Sequence, residues 1–246
     1  MTRIDLNCDM GEGIGNEEAI LPFVSAANIA CGAHAGNEEE MKKVVDLCLR
    51  FDVAIGAHPS FNDRENFGRT NVQLPMEEVA RIVRHQLEML NRITLAAGGR
   101  LHHVKPHGAL YNMAAKDPIL AKTIALAIKE FDQDLICYGL SGSVMIDQAR
   151  RVGLKIAEEV FADRTYQKDG TLTPRTSSGA LINNWKMVIQ QVEQMINNKT
   201  VTAITGEIIT IKADTVCIHG DGEKAIEFAK DMYEHLQRAG IQIMKL

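Results

Sequence analysis

The segment HHVKPHGALYN, residues 102–112, stands where ordinary core is expected. It follows Leu101 and the glycine pair Gly98 and Gly99, as a buried strand of an α/β chain would. Yet it carries three histidines and a lysine. Residues two apart on a strand point the same way, so His103, Lys105 and His107 share one face. Pro106 and Gly108 then stop the strand. An ammonium and imidazoles on the inner face of a strand are costly unless they open into a polar site.

Working outward, short apolar runs alternate with helical periods, the mark of a parallel sheet with helical crossovers. Strands are expected at 3–7, 28–31, 53–57, 101–105, 135–139, 155–161 and 215–219. Helices are expected at 37–51, 75–97, 118–131, 144–152, 184–196 and 223–239. Asn37 is placed to cap the first of these before three glutamates, and Pro75 to open the second at its first helical position. The β-branched residues of 201–212 suggest an extra ribbon. No linker or repeat divides the chain, so a single domain, residues 1–246, is expected.

Seven strands in this alternation fit a closed barrel or an open doubly wound sheet. Six of the seven strand ends carry a histidine, a lysine or an acid beside a turn residue. The first end holds Asn7 and Asp9, with Glu12 after it; the second holds His34 and the third His58. The fourth holds Lys105 and His107, the sixth Glu159, Asp163 and Arg164, and the seventh His219 and Asp221. The fifth offers Ser141 and Ser143. An open sheet needs function only near its switch point, whereas a barrel gathers every C-terminal strand end around one pocket. The expected fold is therefore a seven-stranded, TIM-barrel-like β/α barrel.

Composition narrows the function. A net charge of −5 with no basic stripe argues against nucleic acid. No apolar run follows Arg3, so no signal peptide is read, and no stretch suits a membrane span. Five cysteines without a C-x-x-C pair read as reduced thiols of a cytoplasmic protein, not a zinc-thiolate site.

The motifs divide by chemistry. Asp5, Asn7 and Asp9 share a face and can orient a polar substrate, move a proton or bind a metal, although Asp9 can also simply cap a turn. His34 and His58 follow small-residue turns, and with Asp9 they can form an Asp/His/His metal set or act as structural hydrogen-bonders. A lysine beside imidazoles can polarise a carbonyl or hold an anion. Tyr111 and Asn112, at the start of the next helix, suit contact or packing equally. Asp163 and Arg164 can pair with each other, or Arg164 can grip a carboxylate. The loop after them, through Pro174 and Arg175, can act as a lid. NDRENFGRT, residues 62–70, reads as a loop whose charges pair locally. CIHGDGEKA resembles a dinucleotide fingerprint but lacks the following βαβ unit, so it reads as a tight turn able at most to accept phosphate. No G-x-x-x-x-G-K-[ST] occurs, so the usual ATP cradle is absent.

DLNCDMGE, NIACGAHAGN, GAHPSF, FGR, HVKPHGALYN, EVFADRTY and CIHGD, in this order, resemble the LamB/YcsF family, the A subunits of 5-oxoprolinase, along essentially the whole chain. The resemblance implies a barrel of the glycoside hydrolase/deacetylase type. It implies ATP-dependent opening of 5-oxoproline to L-glutamate with partner subunits B and C, a small-molecule substrate, and no nucleic acid or membrane. Their convergence at strand ends puts Asp9 and His107 in proton transfer and Lys105 at the lactam oxygen. Asn7, Glu12, His34, His58, Glu159, Asp163, Arg164, His219 and Asp221 would surround the substrate. ATP, with Mg2+, is the expected cofactor, held here or by the partners. A transition metal, and with it a metal-dependent amidohydrolase or deacetylase, stays open, as does a non-catalytic substrate-binding role. One departure, Ser60 where many relatives have glycine, touches no expected role.

Overall fold

The alternation is realised in the computed structural model, which describes residues 2–219 and 224–246. The chain runs β1 (Arg3–Met10), α1 (Glu17–Ile20), β2 (Ala26–Ala30), α2 (Glu38–Phe51), β3 (Ala54–His58), α3 (Met76–Ala96) and β4 (Leu101–Val104). It continues through α4 (Gly108–Ala114), α5 (Pro118–Phe131), β5 (Ile136–Leu140), α6 (Val144–Arg151), β6 (Lys155–Phe161) and α7 (Trp185–Glu193). The last elements are β7 (Thr200–Thr202), β8 (Ile208–Thr210), β9 (Thr215–Ile218), α8 (Ala225–Arg238) and β10 (Gln242–Ile243).

Parallel pairing runs β1-β2-β3-β4-β5-β6-β9, and β9 pairs back onto β1, closing a seven-stranded barrel. β10 adds beside the start of β1, and β7 and β8 form the antiparallel ribbon expected from their β-branched residues. β1 runs three residues beyond its expected end, because Asp9 and Met10 continue the ladder onto Asn28 and Ile29.

Helix signals act largely as read. The Asn37 side chain accepts from Glu40 N, and Asp117 caps α5 with Pro118 inside the first turn. Pro75 stands one position earlier than expected: its ψ of 142° leaves it as the cap of α3. The apolar stripe Met41, Val44, Val45 and Cys48 of α2 is buried against the barrel wall. Each such side chain removed from water contributes about 1.5–3 kcal/mol.

The inside of the barrel is polar. On β1, Leu6 and Cys8 face the apolar layer, while Asp5, Asn7 and Asp9 face inward. Asp5 accepts from Ser25 Oγ at 2.6 Å, Thr215 Oγ1 at 2.6 Å and Tyr138 Oη at 3.0 Å. His103 Nε2 donates to Asn28 Oδ1 at 2.8 Å and its ring stacks on Tyr138. Gly56 makes room for it: a Cβ there would lie 2.0 Å from His103 Nε2. A narrow barrel must be filled by side chains, and polar filling is tolerable when each group has a partner. Among the described residues, the only buried side-chain polar atoms lacking a hydrogen bond belong to Glu17 and Thr173, neither on a barrel strand.

Candidate functional site

The polar column rises to a cavity of about 760 Å³ at the C-terminal strand ends. Its floor is Lys105, buried on β4's continuation. Lys105 Nζ lies 2.9 Å from Asp9 Oδ1, 2.8 Å from Glu159 Oε1, 3.2 Å from Asn7 Oδ1 and 3.2 Å from Cys217 Sγ. Burial works against its charge, yet Asp9, Cys217 and Glu159 hold the ammonium well above the usual lysine range. Burial would likewise raise Asp9, but His58 and Lys105 outweigh it and hold the carboxyl well below the usual range. Asn28 Nδ2 donates to both Asn7 Oδ1 and Asp9 Oδ1 at 2.8 Å. Glu159 also accepts from Asn7 Nδ2 and from Tyr111 Oη at 2.7 Å.

One wall is a group of imidazoles. His34 and His107 are stacked at 3.7 Å with 3° between their planes, and His58 meets both edge-on. His34 sits between Ser60 Oγ at 2.9 Å and Glu12 Oε1 at 3.1 Å. His58 Nδ1 donates to Lys105 O at 2.7 Å, and His107 Nε2 donates to Phe67 O at 2.9 Å. Burial first, then His58, pushes His34 down to about 3 and His107 down to about 2, so both rings are neutral near pH 7.

Glu12, His34, His58 and His107 each bring one ligand atom within 4.8 Å of the others, a group that can hold a metal ion. Its chemistry fits a transition ion, with nitrogen donors and one carboxylate. Asp9, expected in such a set, is not in this group. Its Oδ1 is taken by Lys105 and Asn28 while its Oδ2 lies 3.4 Å from His58 Nε2, and Glu12 arrives after the turn at Gly11, whose φ is +71°. His107 joins because Pro106 ends β4 and sends the chain back across the rim as the cap of α4.

The sixth and seventh strand ends lie on the facing wall. His219 Nδ1 bonds Asp163 Oδ1 at 2.7 Å, and its Nε2 accepts from Arg175 at 2.7 Å. Burial would raise Asp163, but His219 holds it below its usual range. Arg164 lines the cavity, but its Nε and Nη2 bond Ala180 O at 3.3 Å and Thr173 O at 2.6 Å, so it ties down the lid loop. Arg164 pairs with those carbonyls and not with Asp163. Asp221 lies outside the described residues. At the fifth end, Ser143 caps α6 and Ser141 bonds Glu158, so both are structural. In the 62–70 loop Asp63 accepts from Asn66 and Thr70, but the charges do not pair locally as expected: Arg64 donates to Gly32 O at 3.1 Å and Gly36 O at 2.8 Å, and Arg69 lies over the Phe67 ring and lines the cavity.

Three contributors escape sequence reading. Phe67 sets its ring edge-on to His34 and His107. Gln86 of α3 clamps the Ser60 backbone through bonds of 3.0 and 2.8 Å. Ser60, the departure thought idle, holds His34. FGR was a visible motif, but nothing local marks Gln86, whose partner lies 26 residues away.

Known proteins frame this geometry. The model of the LamB/YcsF family matches residues 4–246. The chain is 48% identical to the A subunit of 5-oxoprolinase from Bacillus cereus (strain AH187), covering 99% of this chain and 98% of that one. It is also 48% identical to the protein of the same name from Tolumonas auensis, covering 99% of both. The crystal structure of the lactam utilization protein from Thermus thermophilus superposes with a TM-score of 0.93 at 38% identity, covering both chains fully. A family 4 carbohydrate esterase from Streptomyces lividans shares the fold at a TM-score of 0.51 and 12% identity, covering 98% of this chain and 91% of that one. With the match spanning the barrel and every described motif, the chain belongs to the LamB/YcsF family.

Proposed function

We propose that this chain is the A component of a 5-oxoprolinase and binds the lactam in the rim cavity for ring opening to L-glutamate. The reading is carried by one observation: a buried lysine between two carboxylates, beside neutral imidazoles, on the floor of a cavity sized for a small molecule. The 48% identity to proteins named for this activity supports it.

A five-membered lactam is an unreactive amide. One route moves the ring N–H proton to the carbonyl oxygen, which then takes the γ-phosphoryl group of ATP and gives up that proton. Water adds to the same carbon, and the ring C–N bond breaks with a proton going to nitrogen. A second water releases phosphate from the resulting acyl phosphate to leave L-glutamate. Asp9, ionised and partly exposed, accepts the ring N–H. Lys105 carries the positive charge that the developing oxygen anion needs. His107, neutral, lines the cavity beside them and keeps the imidazole wall in place. The substrate carboxylate belongs toward the lid, where Arg164 and Arg175 line the cavity. With no phosphate-binding loop in the sequence, ATP and its Mg2+ are assigned to partner subunits, B and C of the complex.

The test is glutamate formation from 5-oxoproline and ATP, with and without candidate partners. Turnover requires the partners, and Lys105→Ala or His107→Ala abolishes it while the subunits still co-purify. Near-normal turnover in either variant rejects the assignment. A second reading, metal-dependent amide hydrolysis in the same cavity, is favoured by the imidazole group. An ion bound there would polarise an amide oxygen or a water. Glutamate or acid release without ATP, abolished by a chelator, would favour it.

A further inference from the structure

The outer hydrogen-bond partners of two of the three rings fix one proton on each. Lys105 O and Phe67 O can only accept, so His58 is protonated on Nδ1 and His107 on Nε2. Ser60 Oγ, 2.9 Å from both Phe61 O and His34 Nδ1, holds the third ring from its outer side. The remaining nitrogens, His34 Nε2, His58 Nε2 and His107 Nδ1, turn toward the centre of the group, and His58 Nε2 also lies 3.4 Å from Asp9 Oδ2. They face one another and a carboxylate. His107 Nδ1 is 2.9 Å from His58 Nε2 and 3.6 Å from Glu12 Oε1, and His34 Nε2 is 3.1 Å from the same oxygen. Ring nitrogens and a carboxylate packed this closely in a buried place need a proton or a metal ion among them.

We propose that Glu12, His34, His58 and His107 form a binding site for one divalent transition-metal ion of the zinc type. Each ring's outer nitrogen is held by a carbonyl or hydroxyl, the support that orients metal-binding imidazoles. Three nitrogens and one oxygen suit zinc or cobalt and suit magnesium poorly. The Phe67 ring and the Gly68 backbone close over the group: a Cβ on Gly68 would lie 2.9 Å from His34 Cβ. The site stands on these contacts alone and does not depend on which amide the cavity opens.

The test uses the full chain, stripped with a chelator and dialysed, then titrated with Zn2+ by calorimetry and with Co2+ by visible absorption. One ion per chain binds, Co2+ gives the d–d bands of a nitrogen-rich site, and Zn2+ abolishes them. Glu12→Gln and His107→Ala each weaken Zn2+ by at least about 100-fold, and His235→Ala, on the surface, leaves it unchanged. Circular dichroism and thermal unfolding check that each variant folds; the nearly isosteric Glu12→Gln serves if His107→Ala does not. Absence of 1:1 binding, or binding unaffected by Glu12→Gln, overturns the proposal. Metal binding without 5-oxoprolinase turnover would instead reject only the functional reading.

Discussion

Lys105 decides most at the scale of single residues. It neutralises Asp9 and Glu159 in a space where its own side chain is 3% exposed and that of Glu159 is 0%. Removing one member of a buried ion cluster leaves uncompensated charge, so Lys105→Met destabilises by about 3–5 kcal/mol. Adding Glu159→Gln recovers part of that loss in urea denaturation but no turnover. Recovery of both would make the lysine purely structural. Asp5 behaves oppositely to Asp9. Burial raises its carboxyl above the ordinary 3.8, despite the three hydroxyls it accepts from. A raised folded pKa gives stability that is full below the unfolded value and lost as pH rises through the folded one. The stability of the natural chain relative to Asp5→Asn therefore falls as pH rises above about 4; parallel unfolding curves across pH 4–7 would count against it.

At the scale of elements, strand inner faces carry the design. Gly56 on β3 is the concession that lets His103 of β4 cross toward Asn28. Gly56→Ala drives a methyl into a ring already stacked on Tyr138, so stability falls by about 3 kcal/mol. A thermal shift under a degree would show that the ring has another place to go. On the facing side, Arg164 fastens the lid through Thr173 O and Ala180 O, and burial, then Arg175, lowers its guanidinium to about 10. Arg164→Ala forfeits charged hydrogen bonds worth about 1.5–3 kcal/mol each. Amide exchange across 165–180 then quickens, while exchange in the barrel strands stays unchanged. Unchanged exchange in the lid would mean that Gln191 of α7, which donates to Arg164 O at 2.9 Å and Ala162 O at 3.0 Å, holds it alone.

At the scale of the whole molecule, closure makes the site. β9 returns to β1 so that Cys217, near the end of the chain, stands beside Asn7, near its start. Only this ring brings Glu159 and Lys105 within 2.8 Å. The sequence by itself determined the alternation of strands and helices, because apolar period, caps and turn residues are local. It also determined which strand ends carry ionisable groups, because chemistry-bearing residues beside small turn residues are visible without folding. Only the tertiary structure decided how those groups sort: Asp9 to Lys105, Glu12 to the imidazoles, Arg164 to the lid, Ser141 and Ser143 to the scaffold. The choices of Asp9 and Glu12 turn on partners tens of residues away and on a few ångströms of approach. Such distances follow from barrel closure and side-chain packing, which no local pattern of residues encodes.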